Sequence, residues 1–202
     1  MLTYLITAFS GPAALFMYAL LAVLAFALAV VIERTLTLTR YRVDADALIA
    51  KVDGAVKGGS AASLSLGATP AEDVVRAGLA YRDPDLAWEA MAAASVDAEL
   101  KIRRRIAYLS TVASIATMVG LFGTVYGLIL AFGALGDVAA AERAAQLSEG
   151  SSTAMATTAF GLLVAIPALG AHSVAEAAAR ELLGNIERVA TRLVLALKAA
   201  RA

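Results

Sequence analysis

No cysteine occurs in the 202 residues, which excludes disulfides, thiolate metal sites and thiol chemistry. There is a single histidine, His172, with no second ligand at metal-binding spacing, so it reads as an interfacial residue. Charge is missing from three long stretches: Asp, Glu, Lys and Arg are absent from Met1 to Ile32, from Ile106 to Gly136 and from Ser151 to Ala175. A proton relay built from this chain alone therefore lacks a carrier, because hydroxyls pass protons along without holding them at neutral pH. With no carboxylate pair, no metal set and no base beside a hydroxyl, the spans also lack the groups of an intramembrane enzyme.

What is present is apolar. Hydrophobic residues make up 60% of the chain, charged residues 17%, and the mean hydropathy is +0.76, which places the chain in a bilayer. The formal net charge is zero but unevenly distributed. Of 17 Lys and Arg, eleven lie between Arg34 and Arg105, five between Arg180 and Arg201, and only Arg143 lies between the later spans. By the positive-inside rule the large loop and the C-terminal tail are cytoplasmic, and the Arg143 segment and the N-terminus are outside.

Taken in order, residues 1–12 read as an outer interfacial segment closed by Gly11-Pro12, and residues 13–33 as the first membrane helix. The lead has no basic start and no small-residue cleavage site, which favours a retained helix over a signal peptide. Glu33 and Arg34 are expected to end that helix at the interface and to snorkel there. Residues 34–105 form a cytoplasmic helical region too small for a deep core of its own. Within it Gly58-Gly59-Ser60 marks a loop, Thr69-Pro70-Ala71-Glu72 has the form of a capping box, and Asp83-Pro84 is a second helix start. No breaker follows until the glycines near 120, which predicts one rod from Pro84 into the membrane. The basic cluster Lys101, Arg103, Arg104 and Arg105 reads as a topology signal contacting lipid headgroups rather than nucleic acid.

The second span, residues 106–133, exceeds the roughly 20 residues that cross a bilayer. Ser110, Ser114, Thr117 and Thr124 fall on one of its faces, with Gly120, Gly123 and Gly127 close beside them. Residues 134–150 are a short periplasmic loop, and residues 151–175 are the third span. In that span Thr153, Thr157, Gly161 and Ala165 step by four, Ala154 and Thr158 form the adjacent row, and Pro167 is expected to kink the helix. Leu182, Ile186, Val189, Leu193 and Leu197 then recur at heptad-like spacing in a cytoplasmic C-terminal helix, residues 176–202. The hydroxyls and glycines fit two readings: close helix packing, or a narrow polar path. The fold class is all-α membrane protein with three transmembrane helices and long cytoplasmic helical extensions.

Gly120-Leu121-Phe122-Gly123-Thr124-Val125-Tyr126-Gly127 resembles the second membrane helix of the MotA/TolQ/ExbB proton-channel family. Thr157-Thr158-Ala159-Phe160-Gly161-Leu162 with Ala165-Ile166-Pro167-Ala168 resembles its third, and the three-span layout is similar to the ExbB and TolQ branch. The resemblance implies a pentamer of this chain in the bacterial inner membrane, around an ExbD/TolR-like single-span partner whose intramembrane aspartate carries the proton. Protons are then the coupling ion, no other cofactor is implied, and a TonB/TolA-like protein is a further candidate partner alongside membrane lipids. Thr124 and Thr158 match the family's pore-facing threonines, with Thr117, Ser114, Thr157 and Thr153 as further path or partner-facing candidates. Gly120, Gly123, Gly127, Gly161 and Pro167 are the packing candidates.

Two positions depart from the family pattern. Thr153 stands where ExbB and TolQ place a glutamate, and Thr117 where proline often precedes the glycines. The implied function is a proton-motive-force-driven motor subunit, with energy transduction for import, Tol-Pal-type envelope maintenance, gliding or secretion as the processes served. The alternatives are a scaffold without ion conduction, or a gliding or flagellar-type stator. The short segment from Thr35 to Ala80 favours work delivered on the periplasmic side.

Overall fold

The computed structural model describes residue 9 and residues 14–58, 64–133 and 142–201. Every regular element among them is an α-helix: α1 (Ala14–Tyr41), α2 (Ala45–Lys57), α3 (Pro70–Leu79), α4 (Pro84–Arg103), α5 (Ile106–Gly133) and α6 (Arg143–Arg201). Three stretches, in α1, α5 and α6, are long and apolar enough to cross a membrane. The chain divides into two compact units, Met1–Ile32 with Ile106–Ser173, and Glu33–Arg105 with Val174–Ala202. Apart from Phe9, the interfacial segment expected over residues 1–12 lies outside the described residues, as do residues 134–141 of the expected outer loop.

In the first unit small side chains lie inside and large apolar ones outside. α5 buries Val112, Ala113, Ala116, Gly120, Gly123, Gly127 and Ala131 at steps of one, three and four, so these residues share a face. α6 meets it with buried Ala154, Thr157, Gly161, Ala165 and Ala168. Met17, Leu20 and Ala27 of α1 complete the core. Met118, Phe122, Ile129, Leu163 and Ile166 face outward, a surface suited to hydrocarbon. Lipid supplies no hydrophobic drive between helices, so contact must come from close packing of small residues. A Cβ added to Gly161 would lie 2.7 Å from the Ala116 carbonyl oxygen and 3.0 Å from the Gly120 Cα.

The second unit is built on caps and apolar stripes. Asp44 caps α2 by accepting from the amides of Asp46 and Ala47 at 3.0 and 3.2 Å. The Thr69–Glu72 capping box is present, with Pro70 at the first helical position and the Thr69 amide donating to Glu72 at 3.1 Å. Asp83 caps α4 ahead of Pro84. Leu182, Ile186, Val189 and Leu193 of α6 are buried and Leu197 is half-buried, as their spacing predicts. Exposed ion pairs such as Arg201–Asp83 at 3.5 Å and Lys198–Asp85 at 3.9 Å add little stability each.

Four expectations change in detail. The rod from Pro84 is interrupted: α4 ends at Arg103, and Arg105 adopts a left-handed backbone with φ 63°. A non-glycine residue in that region costs about 1–3 kcal/mol. Arg105 donates to Glu33 at 2.6 Å, and Arg103 pairs with Glu99 of its own helix and with Glu176, so both arginines at this break, which local propensity does not call for, sit beside carboxylates. α1 continues to Tyr41, because Thr35 to Tyr41 contains no breaker. Arg34 does not snorkel: it is 4% exposed on the buried stripe with Val30 and Leu38 and donates to Glu33 at 2.9 Å. Its Nε and Nη1 have no hydrogen-bond partner among the described residues. α6 starts at Arg143, ahead of Ser151, since residues 143–149 are mostly good helix formers. Pro167 sits inside that helix, where it leaves the Leu163 carbonyl without its usual amide partner.

Two predictions follow from these contacts. Gly161→Ala is expected to destabilise the first unit by about 1–3 kcal/mol, because backbone atoms on α5 must move. Gly170→Ala, which meets nothing within 4 Å, should be neutral or mildly stabilising in the same detergent melt. Equal effects would contradict the packing described.

The second concerns Glu72. Burial raises its pKa, but the Thr69 hydroxyl and backbone hydrogen bonds at Gly67 and Thr69 prevail and hold it below its ordinary value of 4.5. A depressed carboxyl pKa stabilises the fold above the unfolded value and loses that contribution as pH falls through the folded one. The stability of the second unit should therefore drop below about pH 4.5 more steeply in the native protein than in Glu72→Gln, as read by helix content during acid titration.

Candidate functional site

Close approach of α5 and α6 brings three threonine hydroxyls onto one carbonyl. Thr124 of α5 and Thr157 and Thr158 of α6 each lie within hydrogen-bonding distance of the Gly120 oxygen, at 3.2, 3.2 and 3.1 Å. The Ala154 oxygen is the second acceptor, 2.7 Å from Thr157 and 3.1 Å from Thr124. The hydroxyls also touch one another: Thr124 reaches Thr157 at 3.4 Å and makes a short contact with Thr158. Glycine at 120 and 123 is what permits this. A Cβ at Gly120 would stand 3.0 Å from the Thr157 carbonyl oxygen, and one at Gly123 would stand 2.9 Å from the Thr157 hydroxyl.

The two sides of the cluster differ in exposure. Thr157 is 0% exposed, turned into the helix contact, whereas Thr124 and Thr158 are half-buried and form an accessible edge. The surrounding span holds no Asp, Glu, Lys, Arg or His from Ile106 to Gly133. The edge can donate to an anion or accept from an acid, but it cannot itself carry a proton between sites.

The other candidate residues do not join this cluster. Thr153 bonds the Glu149 carbonyl of its own helix at 3.0 Å. Ser114 and Thr117 are exposed on α5 and bond the carbonyls of Ser110 and Ala113 at 3.1 and 2.9 Å. Gly127 packs on Ala154, whose Cβ lies 3.0 Å from where a glycine Cβ would stand, and Pro167 lies on the exposed side of α6. His172 is half-buried, with Nδ1 at 3.1 Å from the Ile106 carbonyl. Among the described residues no group of His, Cys, Asp or Glu could hold a metal ion.

Sequence reasoning missed the two backbone acceptors. The Gly120 and Ala154 carbonyls are as much part of the site as the hydroxyls, yet every residue has a carbonyl, so side-chain pattern does not single them out. The available signal was the small residue at each position, which lets the opposing helix reach the backbone.

The sequence model of the MotA/TolQ/ExbB proton channel family matches residues 67–188. No curated protein matches the chain. The matched region contains α5, the three threonines and most of α6, and covers more than half of the sequence. With three apolar helices and this match, the chain is a multi-pass membrane protein that belongs to the MotA/TolQ/ExbB proton channel family.

Proposed function

We propose that this chain is the ring-forming subunit of a proton-motive-force-driven motor of the ExbB/TolQ type in a bacterial inner membrane. Five copies surround an ExbD/TolR-like single-span partner, and proton flow between them drives mechanical work on an envelope system. The observation that carries the reading is the Thr124–Thr158 edge, a pair of half-buried hydroxyls in a span without any ionisable carrier of its own. An aspartate on the partner supplies that carrier.

The chemistry fits the two states of a carboxyl group. A desolvated carboxylate is costly unless donors meet it, and hydroxyls are donors. Once protonated, the same group needs an acceptor for its O–H, and hydroxyls accept as well. Each charge moved across the membrane is worth about 2.3 kcal/mol per 100 mV, enough to bias the partner's position relative to the ring when repeated. The excess of Lys and Arg in residues 34–105 and 180–201 supports a cytoplasmic second unit and C-terminus with the N-terminus outside. A scaffold without conduction draws support from Ser110, Ser114, Thr117 and Thr153, whose hydroxyls are all satisfied by carbonyls of their own helices.

Reconstitution separates the two. Vesicles containing this chain with an aspartate-bearing single-span partner should take up protons under an imposed potential, and vesicles with either protein alone should not. Thr158→Val should lower the flux about tenfold or more while the complex stays assembled, since one hydrogen bond to a charged group is worth roughly 1.5–3 kcal/mol. No flux from an intact complex would favour the scaffold, and unchanged flux in Thr158→Val would place the proton path away from the hydroxyl edge.

A further inference from the structure

The hydroxyl cluster contains more protons than its carbonyls can accept. Thr124, Thr157 and Thr158 each bring one hydroxyl proton, and all three lie within reach of the Gly120 oxygen, two of them also within reach of Ala154. Gly120 and Ala154 are helical, so each carbonyl already accepts the amide four residues on, from Thr124 and Thr158 respectively. A carbonyl has two lone pairs, which leaves one free on each oxygen. Three protons therefore share two acceptors, and one hydroxyl must donate to another or outward.

Resting on the motor reading above, we propose that Thr157 is a positioning residue whose hydroxyl proton competes for the two carbonyl lone pairs and so lets the Thr124–Thr158 edge alternate between hydrogen-bond acceptor and donor. Several arrangements satisfy the distances, and two of them put the edge in opposite states. In one, Thr157 donates to Ala154, Thr158 donates to Gly120, and Thr124 donates to Thr158. Both edge protons then point inward, and the edge offers only lone pairs, which suits the O–H of a neutral carboxylic acid. In the other, Thr157 donates to Gly120, Thr124 donates to Ala154, and the Thr158 proton is released outward to meet a carboxylate. Only hydroxyl rotations separate them. No backbone movement is needed, and the fully buried Thr157 never meets the partner.

The inference gives Thr157→Val a signed effect. Removing its hydroxyl leaves two protons for two carbonyl lone pairs, so Thr124 and Thr158 both turn inward and the edge is fixed as an acceptor. The neutral acid is then favoured and the partner carboxyl's apparent pKa rises. The probe is a membrane-soluble carbodiimide, which labels protonated carboxyls, applied to the assembled complex across a pH series, with proton flux measured on the same preparation. In Thr157→Val the labelling midpoint should rise by about one pH unit and flux should fall about tenfold, the exchange value of one unit. Thr157→Ser, which keeps the hydroxyl, should restore both. Thr157→Ala removes the hydroxyl without apolar bulk and should show the same upward shift should valine disturb packing. A native midpoint and native flux in assembled Thr157→Val or Thr157→Ala, with Thr158→Val inactive, would overturn this inference alone. A native midpoint and flux in Thr158→Val would remove the hydroxyl edge from the path and overturn this inference with it, whereas no flux from the intact native complex would overturn the motor reading.

Discussion

The approach of α5 to α6 at Gly120 and Gly161 is the constraint on which the first unit depends. Cβ atoms at these positions would fall 2.7–3.1 Å from backbone of the opposing helix, so the contact exists only because both residues lack one. In a bilayer such closeness is also the main source of helix attraction, since burying leucine against leucine gains little over burying it against lipid. The same closeness lets hydroxyls from one helix reach carbonyls of the other. Packing and polar site are therefore one feature, and the two readings of the glycine and hydroxyl rows are not exclusive.

The second unit is organised by different forces. Its helices are started by Asp44, Thr69 and Asp83 and held together by an alanine- and valine-rich interior with the Leu182 to Leu193 stripe of α6. Its charges largely find partners within the unit, including Arg103 with Glu99 and Glu176, and Glu33 with Arg34 and Arg105. Arg34 is the exception in degree, buried with two nitrogens unmatched among the described residues. The apolar spans of the first unit thus exclude charge, and the second unit pairs it.

The spans, the capping box and the heptad-like stripe were legible because each rests on local chemistry: runs of apolar residues, a Thr-Pro-Ala-Glu start, a repeat of three and four. The convergence of Thr124 and Thr158 was legible only through the family resemblance, because spacing fixes angles within one helix and says nothing about which face meets a neighbour. That is why Thr153, Thr157, Gly161 and Ala165 read as a single row although Thr157 is fully buried and Thr153 is half-buried and bonded to its own helix. The break at Arg104 and Arg105 was illegible for a related reason. Arginine is a good helix former, and the carboxylate that meets the left-handed turn, Glu33, lies 72 positions away in sequence.

The central claim is that the Thr124–Thr158 edge faces a carboxyl group on another chain. The absence of cysteine allows a direct measurement, because any introduced thiol is the only one on this protein. Thr158→Cys should form a disulfide, under mild oxidation in membranes, with a cysteine placed one helical turn from the partner's aspartate, since bridging needs Cα atoms within about 7 Å. Leu163→Cys, exposed on another side of α6, should not. Efficient cross-linking at Leu163 with none at Thr158 would contradict the placement of the partner at the hydroxyl edge.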